Sequence, residues 1–445
     1  MRTSIATITA LGLLGCAAAG TSAPASTLDR VKSLCRDYIT GYLSPATGLA
    51  YGKRINGPTG ISVLESPSEI AQRRVGGEPR PWGYGSGIED LAYQNGMFLY
   101  ALLDAEHTTR DSYLAQTAEQ VFRGLQSMSR LSPVPGFVPR GPHPDGKSYY
   151  PDSSLDQHSL YMCALWRWYH SRFATAADKT WIRDMAAKVM RRLEKDGWSI
   201  QNEDSSKPSH AGGTMLNMDP VTSLLLLQML AVTHDLTGDP HWKEAFDRFG
   251  LEDNGRRWKL LDRPVDPERA FRHTMFINQD MLRAETLRRI VREPERRAIL
   301  LRRLDNFATD MIACNYFQAW RRVDWLGDEG WPDAKQPEVA DRYLQPLGLN
   351  TGSRRTVLEL VRMYDPARLS PPALHGRRNR YEPMLIATPA MVFQIALMSR
   401  NPEHVKTAAA GVHDMLTRTA FDRVDLGWAY NYTVLAALWS LAGLP

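Results

Sequence analysis

The chain has 445 residues, of which 43% are hydrophobic and 23% are charged. This composition is typical of a globular protein and excludes the intrinsically disordered class. The formal charge is +5, and the Lys and Arg residues are mixed with Asp and Glu along most segments, without a long basic block. We therefore expect no nucleic-acid partner, whereas a mild cationic excess is compatible with an acidic substrate.

Residues 1–26 are predicted to be an export leader and a short tether. Arg2 precedes a short apolar run that ends in small residues, and such a run cannot cross a bilayer. The sequence "LLGC" resembles a bacterial lipobox, which implies acylation of Cys16. Cleavage after the Ala-rich stretch, without a lipid, is the alternative. We expect an exported protein that is periplasmic or anchored to the outer membrane, and that meets the membrane only through this lipid.

Two kinds of helix are predicted to alternate along residues 27–445, which we interpret as a single domain. The first kind has one apolar stripe and a charged face, as on the outside of a bundle. These segments are residues 27–43, 111–128, 175–196, 240–250, 294–316 and 403–419. The second kind is apolar almost all round and is predicted to be buried on every side. These segments are residues 88–105, 153–171, 220–237, 275–291, 385–400 and 428–443.

This alternation predicts an all-α fold, an (α/α)6 toroid, in which roughly six helical hairpins form a ring with the apolar helices inside. The weak pattern at residues 240–250 and 351–364 leaves five or seven hairpins open. Links from an inner to the next outer helix are short, and most of the opposite links are long and rich in Gly, Pro, Trp and Tyr. Long loops in a compact domain are usually functional. The face where the inner helices begin is therefore predicted to carry the site.

Two aspartates at the beginnings of inner helices are the leading catalytic candidates. Asp90 directly precedes "LAYQNG", and Asp156 lies about one turn inside the helix that begins near Ser153. Asp152 and Asp219 are instead interpreted as N-caps, because an Asp just before a helix commonly accepts the first backbone N–H groups. A carboxylate inside a funnel must be hydrogen-bonded or functional, since an unpaired buried charge is costly.

Other polar and aromatic residues at these helix ends, or on the loops before them, are predicted to bind substrate, because sugar rings stack on aromatic side chains. They are Glu89, Trp82, Tyr84, Arg140, His143, Tyr150, Gln157, His158, His210, Asn278, Trp428 and Tyr430. Capping, turn formation and packing are the structural alternatives. No phosphate-binding loop, zinc-protease motif or nucleophile elbow is present, and we expect no cofactor and no metal.

The alternating hairpins, with Asp90 in "IEDLAYQNGMFL" and Asp156 in "SSLDQHSLYMCALW", resemble the six-hairpin glycosidase superfamily. The nearest analogy is with the unsaturated glucuronyl and rhamnogalacturonyl hydrolases. The resemblance covers almost all of residues 27–445 as architecture, although its motifs are short. It implies a glycoside hydrolase acting on oligosaccharides that are expected to contain uronic acid. Asp156 would be the general acid/base, and Asp90 its partner, orienting water or substrate.

Two other functions remain open. Some polysaccharide lyases share the toroid, and a lyase here would act on uronate glycans by β-elimination, with His210 or Tyr430 as base and acid. The third function is that of a surface lipoprotein that binds an oligosaccharide or polysaccharide without turning it over. Elimination creates a double bond that absorbs ultraviolet light, whereas simple hydrolysis does not.

Overall fold

A computed structural model describes residues 26–263, 274–313, 389–418 and 427–442. The regular secondary structure of this part of the chain is almost entirely α-helical, which confirms the predicted all-α class. The chain divides into two compact units. The first, called the hairpin unit below, comprises residues 36–263 and 279–304. The second unit draws on residues before 36, residues 264–278 and residues after 304.

The helices follow the predicted order closely. They are α1 (Thr27–Tyr42), α2 (Pro67–Ala71), α3 (Leu91–Thr109), α4 (Ser112–Met128), α5 (Leu155–Tyr169), α6 (Ala176–Lys195), α7 (Pro220–Thr237), α8 (Pro240–Leu261), α9 (Thr274–Ile290), α10 (Pro294–Ala313), α11 (residues 389–399), α12 (Pro402–Arg418) and α13 (Gly427–Ala442). Between α1 and α3 lie a 3-10 helix (Gly60–Val63) and two short antiparallel strands, β1 (Arg74–Val75) and β2 (Glu78–Pro79). The leader with Cys16 and the segment at 351–364 lie outside the described residues. Across the described ranges, no helix has the length and apolarity that a bilayer crossing requires.

Helices α3, α5 and α7 form an inner row in the hairpin unit. Helix α3 packs on α4 and α5, α5 packs on α6 and α7, and α7 packs on α8. Side chains are buried along almost the whole of α3, α5 and α7, whereas α4 and α6 bury one face only. This is the alternation that the hydrophobic pattern predicts, and it is the hairpin organisation expected of an (α/α)6 toroid.

The links between these helices differ in length, as predicted. Inner helices lead to outer helices through the short links 110–111, 170–175 and 238–239. Outer helices lead back to inner ones through the long loops 129–154 and 196–219. Because the helices of a hairpin run in opposite directions, the long loops and the beginnings of the inner helices share one face of the hairpin unit.

The predicted outer helix at residues 240–250 is too short. In the structure α8 continues to Leu261 after a non-helical interruption at residues 252–255. The sequence "EDNG" at residues 252–255 is typical of a helix end. It therefore favours a helix that ends before Leu261. The second half is held by Arg257, whose buried guanidinium donates from Nη1 to the carbonyl oxygen of Asn217 at 3.1 Å, in the loop before α7.

Ion pairs link α3, α5 and α9 near their C-terminal ends. Asp104 accepts hydrogen bonds from Nε of Arg167 at 2.7 Å and from Nη1 and Nη2 of Arg289, both at 3.0 Å. Glu285 also accepts from Nε of Arg289 at 2.7 Å. Burial acts to raise the pKa of Asp104, but the guanidinium groups of Arg289 and Arg167 outweigh it, and the pKa is lowered. Asp104 is therefore ionised at neutral pH, and its loss would remove a partner from the buried Arg167 and from the half-buried Arg289.

Candidate active site

The beginning of α3 is capped by a distant loop rather than by its own N-cap side chain. Asp90 occupies the N-cap position, yet its carboxylate accepts no N–H from the helix. The carbonyl oxygen of Arg140 instead accepts the N–H of Leu91 at 3.0 Å. Gly141 permits this close approach, because a Cβ there would lie 2.2 Å from the carbonyl oxygen of Ile88. The loop after α4 thus releases the Asp90 carboxylate from capping.

The Asp90 carboxylate is held through one of its oxygens. Nη2 of Arg140 donates to Oδ1 at 2.8 Å, and Nε2 of Gln157 donates to the same oxygen at 3.1 Å. Oδ2 accepts no hydrogen bond from the described residues, and 18% of the side chain is exposed. Burial raises the pKa of Asp90 to about 7; Arg140 opposes this shift, and Glu89 and Asp156 add to it. Asp90 can therefore hold a proton near neutral pH.

Asp156 lies half-buried in the first turn of α5. Ser154 is the N-cap residue, but its hydroxyl donates to Oδ1 of Asp156 instead of capping the helix. The backbone N–H of Gln157 donates to the same oxygen at 3.0 Å. The charge of Asp156 acts on both Asp90 and Arg140, so the two carboxylates share one region. Sequence reasoning misses Ser154, because a serine before a helix is typical of an ordinary N-cap.

Arg140 is the cation among these acids. Burial acts to lower its pKa, but the carboxylates of Asp90, Asp156 and Glu89 outweigh it, and the pKa is raised. Its side chain is buried, and in the described chain its Nε and Nη1 atoms have no protein partner. Buried donors of this kind are normally satisfied by a ligand or an ordered water.

The loop before α3 places an aromatic surface beside the loop before α7. Glu89 fixes this loop by accepting the backbone N–H of Gly87 at 2.6 Å. Trp82 stacks on the ring of His210, with the ring centres 3.8 Å apart and the planes at 14°. Trp82 and Tyr84 are half-buried, and His210 is exposed. The stacked pair joins two long loops and offers a flat surface of the kind that sugar rings pack against.

Three other predicted binding residues make internal contacts. Tyr150 is fully buried, and its hydroxyl donates to the carbonyl oxygen of Arg74 at 2.7 Å. Nδ1 of His143 accepts the N–H of Asp145 at 3.1 Å within a tight turn. His158 is fully buried, and burial lowers its pKa to about 4, so its imidazole is neutral near pH 7. Tyr150 and His143 are thus held by internal hydrogen bonds, and the position of His158 is explained by burial.

The two predicted N-caps differ in outcome. Asp219 caps α7, since its Oδ1 accepts the N–H of Val221 at 2.9 Å, and this prediction is confirmed. The prediction that Asp152 caps α5 is wrong. Its carboxylate accepts the N–H of Ser153 at 2.7 Å and the hydroxyl of Ser209. Because Ser209 belongs to the loop before α7, Asp152 joins two long loops instead of capping a helix.

The remaining candidates belong to the second unit or lie outside the described residues. Asn278 is fully buried in α9, and its side-chain amide has no partner in the ranges described. Tyr430 is buried in α13. Trp428 lies in the first turn of α13, and its side chain, like Cys16, lies outside the described residues. Among the described side chains, no group of three or more His, Cys, Asp or Glu is arranged to hold a metal ion.

A cavity of about 450 Å³ lies at the opposite ends of α3 and α5. Its lining includes Arg110, Arg167 and Arg172, and none of the predicted site residues. Basic side chains at helix C-termini compensate the negative end of the helix dipole. Arg167 and Arg172 are also paired with Asp104 and Glu106. Helix termination and internal pairing account for the charge of this cavity.

No known protein family matches the sequence, and no curated protein is significantly similar to it. Among solved structures, cellobiose 2-epimerase from Spirochaeta thermophila DSM 6192 is similar to this chain, with 12% identity and a TM-score of 0.35. The likeness covers 66% of this chain and 72% of that one.

Proposed function

We propose that this protein is a glycoside hydrolase that acts on oligosaccharides through Asp90 and Asp156. The observation that carries the proposal is a pair of carboxylates in one region, at the beginnings of two adjacent inner helices. Asp90 accepts no N–H of its own helix, and Asp156 accepts only that of Gln157. Glycosidases use a proton donor with a raised pKa together with a second carboxylate. This pair has the composition that such chemistry requires.

Asp90 is the better proton donor of the two, which exchanges the roles expected from the family resemblance. The raised pKa of about 7 keeps Asp90 partly protonated at neutral pH, as a general acid requires. In its neutral form the proton lies on Oδ2, because Oδ1 already accepts hydrogen bonds from Arg140 and Gln157. Asp156 is then the second carboxylate, which activates a water molecule or attacks the sugar.

Two features of the site bear on the class of sugar. Nε and Nη1 of Arg140 are donors without a protein partner and could pair with a uronate carboxylate, which supports the uronic-acid class. Arg140 nevertheless lies among the charges of Asp90, Asp156, Glu89 and Asp152, and this negative surrounding favours a neutral sugar. We propose uronic-acid oligosaccharides as the first class to test, with neutral oligosaccharides as the alternative.

The experiment is a screen of the purified protein against neutral, uronic-acid and unsaturated uronyl oligosaccharides. Reducing ends and ultraviolet absorbance are followed together. Hydrolysis should release reducing ends without new absorbance, and action on an unsaturated uronyl end should consume absorbance. New absorbance would instead indicate elimination, with His210 or Tyr430 as the base, and binding without any product would indicate a glycan-binding protein. Either of these results would overturn the proposed hydrolase.

We further propose that the protein is exported and lipid-anchored at Cys16, on the basis of the N-terminal sequence. Expressed with its own leader in a Gram-negative host, the protein should appear in the membrane fraction. Cys16→Ala should move it to the soluble periplasmic fraction, because the acylated thiol is lost. An unchanged membrane fraction in the variant would contradict the anchor.

A further inference from the structure

The first backbone N–H groups of an α-helix have no partner within the helix and must be capped. Three aspartates in the hairpin unit do this in the usual way. Asp111 accepts N–H groups of α4, Asp219 those of α7, and Asp239 that of His241 in α8. Asp90 stands at the same position of α3 but accepts none. The capping of α3 must therefore come from elsewhere.

Two residues from later segments supply these caps. The carbonyl oxygen of Arg140 accepts the N–H of Leu91 at 3.0 Å, as described above. Oε1 of Gln157 accepts the N–H of Tyr93 at 3.1 Å, although Gln157 belongs to α5. Gln157 is fully buried, so water does not compete for this bond. The backbone of a loop and the side chain of a neighbouring helix thus replace the Asp90 side chain.

Gln157 also forms a hydrogen bond to the side chain of Asp90, which it replaces in the capping of α3. Its Nε2 donates to Oδ1 of Asp90 at 3.1 Å and to the carbonyl oxygen of Glu89 at 3.3 Å. One amide therefore caps α3 with its oxygen and orients Asp90 with its nitrogen. Leucine or methionine could do neither, and glutamate could accept the N–H of Tyr93 but, when ionised, could not donate to Asp90.

We propose that Gln157 is a positioning residue, which frees Asp90 from capping α3 and fixes Oδ2 as the oxygen that carries the transferable proton. The inference rests on the proposed function only for the use of that proton. It changes the role of Gln157, which the sequence suggested to be a substrate-binding residue. A substrate-binding residue would affect KM, whereas a positioning residue affects kcat and the ionisation of Asp90.

The test follows the ionisation of Asp90 directly, by carboxyl ¹³C NMR of protein labelled at aspartate, with Asp90→Asn to identify the signal. Gln157→Met removes the donor that favours the ionised form. We expect the pKa of Asp90 to rise by about one unit. Gln157→Glu keeps an oxygen that can accept the N–H of Tyr93. It is the variant to measure if Gln157→Met does not fold. It should also raise the pKa, because it adds a carboxylate beside Asp90.

The kinetic readout is taken on any substrate found in the screen. Both variants should lower kcat by about 10- to 100-fold, leave KM within about threefold, and move the alkaline limb of kcat/KM to higher pH. Gln228→Met is the matched control, since it replaces a fully buried glutamine of α7 whose amide has no partner in the described chain. The control should leave the pKa of Asp90 and the pH profile unchanged.

The two proposals can fail separately. A raised pKa of Asp90 in a protein that hydrolyses no glycoside would uphold the positioning role and overturn the proposed function. An unchanged pKa in both Gln157 variants would overturn the positioning role, even in an active hydrolase. A rise in KM with an unchanged pH profile would likewise overturn it, and would restore Gln157 as a substrate-binding residue.

Discussion

Asp90→Asn is expected to lower turnover by about 10²- to 10⁴-fold, the usual contribution of a general acid. The wild-type protein should lose kcat/KM above a pH near 7, because the pKa of Asp90 is raised to about 7 by burial against the opposing effect of Arg140. The Asn variant should lack this decrease in kcat/KM at alkaline pH. Asp156→Asn should reduce turnover to a similar extent, since it removes the second carboxylate. Wild-type rates in both variants would contradict the assignment.

The same Asp90 variant should not lose stability. The folded-state pKa of Asp90 lies above its unfolded value of about 4, so the folded protein holds the proton more tightly. The free energy of unfolding therefore falls as pH rises between these two values, and it stays lower above them. Asp90→Asn removes this penalty, and at pH 8 the variant should be at least as stable as wild type in urea unfolding.

Asp111→Ala provides the contrasting control. Asp111 caps α4 through the N–H groups of Tyr113 and Leu114, at 3.0 and 3.2 Å. Its loss should lower the free energy of unfolding by about 1 kcal/mol and leave kcat unchanged. If Asp90→Asn instead resembled Asp111→Ala in both measurements, Asp90 would be an ordinary capping residue.

Asp104→Ala is expected to lower the free energy of unfolding by about 3–5 kcal/mol, because it removes the shared, buried partner of the Arg167 and half-buried Arg289 guanidinium groups. Arg167 and Arg289 both bind Asp104, and the side chain of Asp104 is 6% exposed. The pKa of Asp104 is lowered in the folded state. Its stabilising contribution is therefore present above the unfolded pKa of about 4 and lost as pH falls through the folded pKa.

The measurement is urea unfolding at pH 7 and at pH 3, with Asp184→Ala as the control. Asp184 pairs with Lys188 on α6 at 2.6 Å, but the two side chains are 55% and 47% exposed. Loss of this surface pair should change the free energy of unfolding by less than about 0.5 kcal/mol. A loss below about 1 kcal/mol for Asp104→Ala at pH 7 would mean that desolvation of the charges offsets their attraction.

Much of the fold could be predicted, because periodicity depends on local sequence. The beginning of α4 at Ser112 and the end of α7 at Thr237 lie within a residue of the predicted bounds. The second half of α8 could not be predicted, since "EDNG" looks like a terminator. Its continuation depends on contacts between Arg257 and a loop that precedes α7. Tertiary contacts of this kind leave no periodic signal.

The positions of the candidate residues in the fold could be predicted, but their hydrogen-bond partners could not. The sequence placed Asp90 and Asp156 at the beginnings of inner helices, and the structure places them there. The cap at Asp219 was predictable because its partners are the next residues of the chain. The capping of α3 was not, because Arg140 and Gln157 are 50 and 67 positions from Asp90. Such pairings are specified by the packed fold.

The capping of α3 by later segments has a consequence for synthesis on the ribosome. When α3 and α4 have emerged, the N–H groups at the beginning of α3 still await Arg140 and Gln157. A nascent chain that ends before residue 157 also lacks the side chain that accepts the N–H of Tyr93 and donates to Asp90. The hydrogen bonds that hold Asp90 thus form late, and only in a chain that has already assembled its second inner helix.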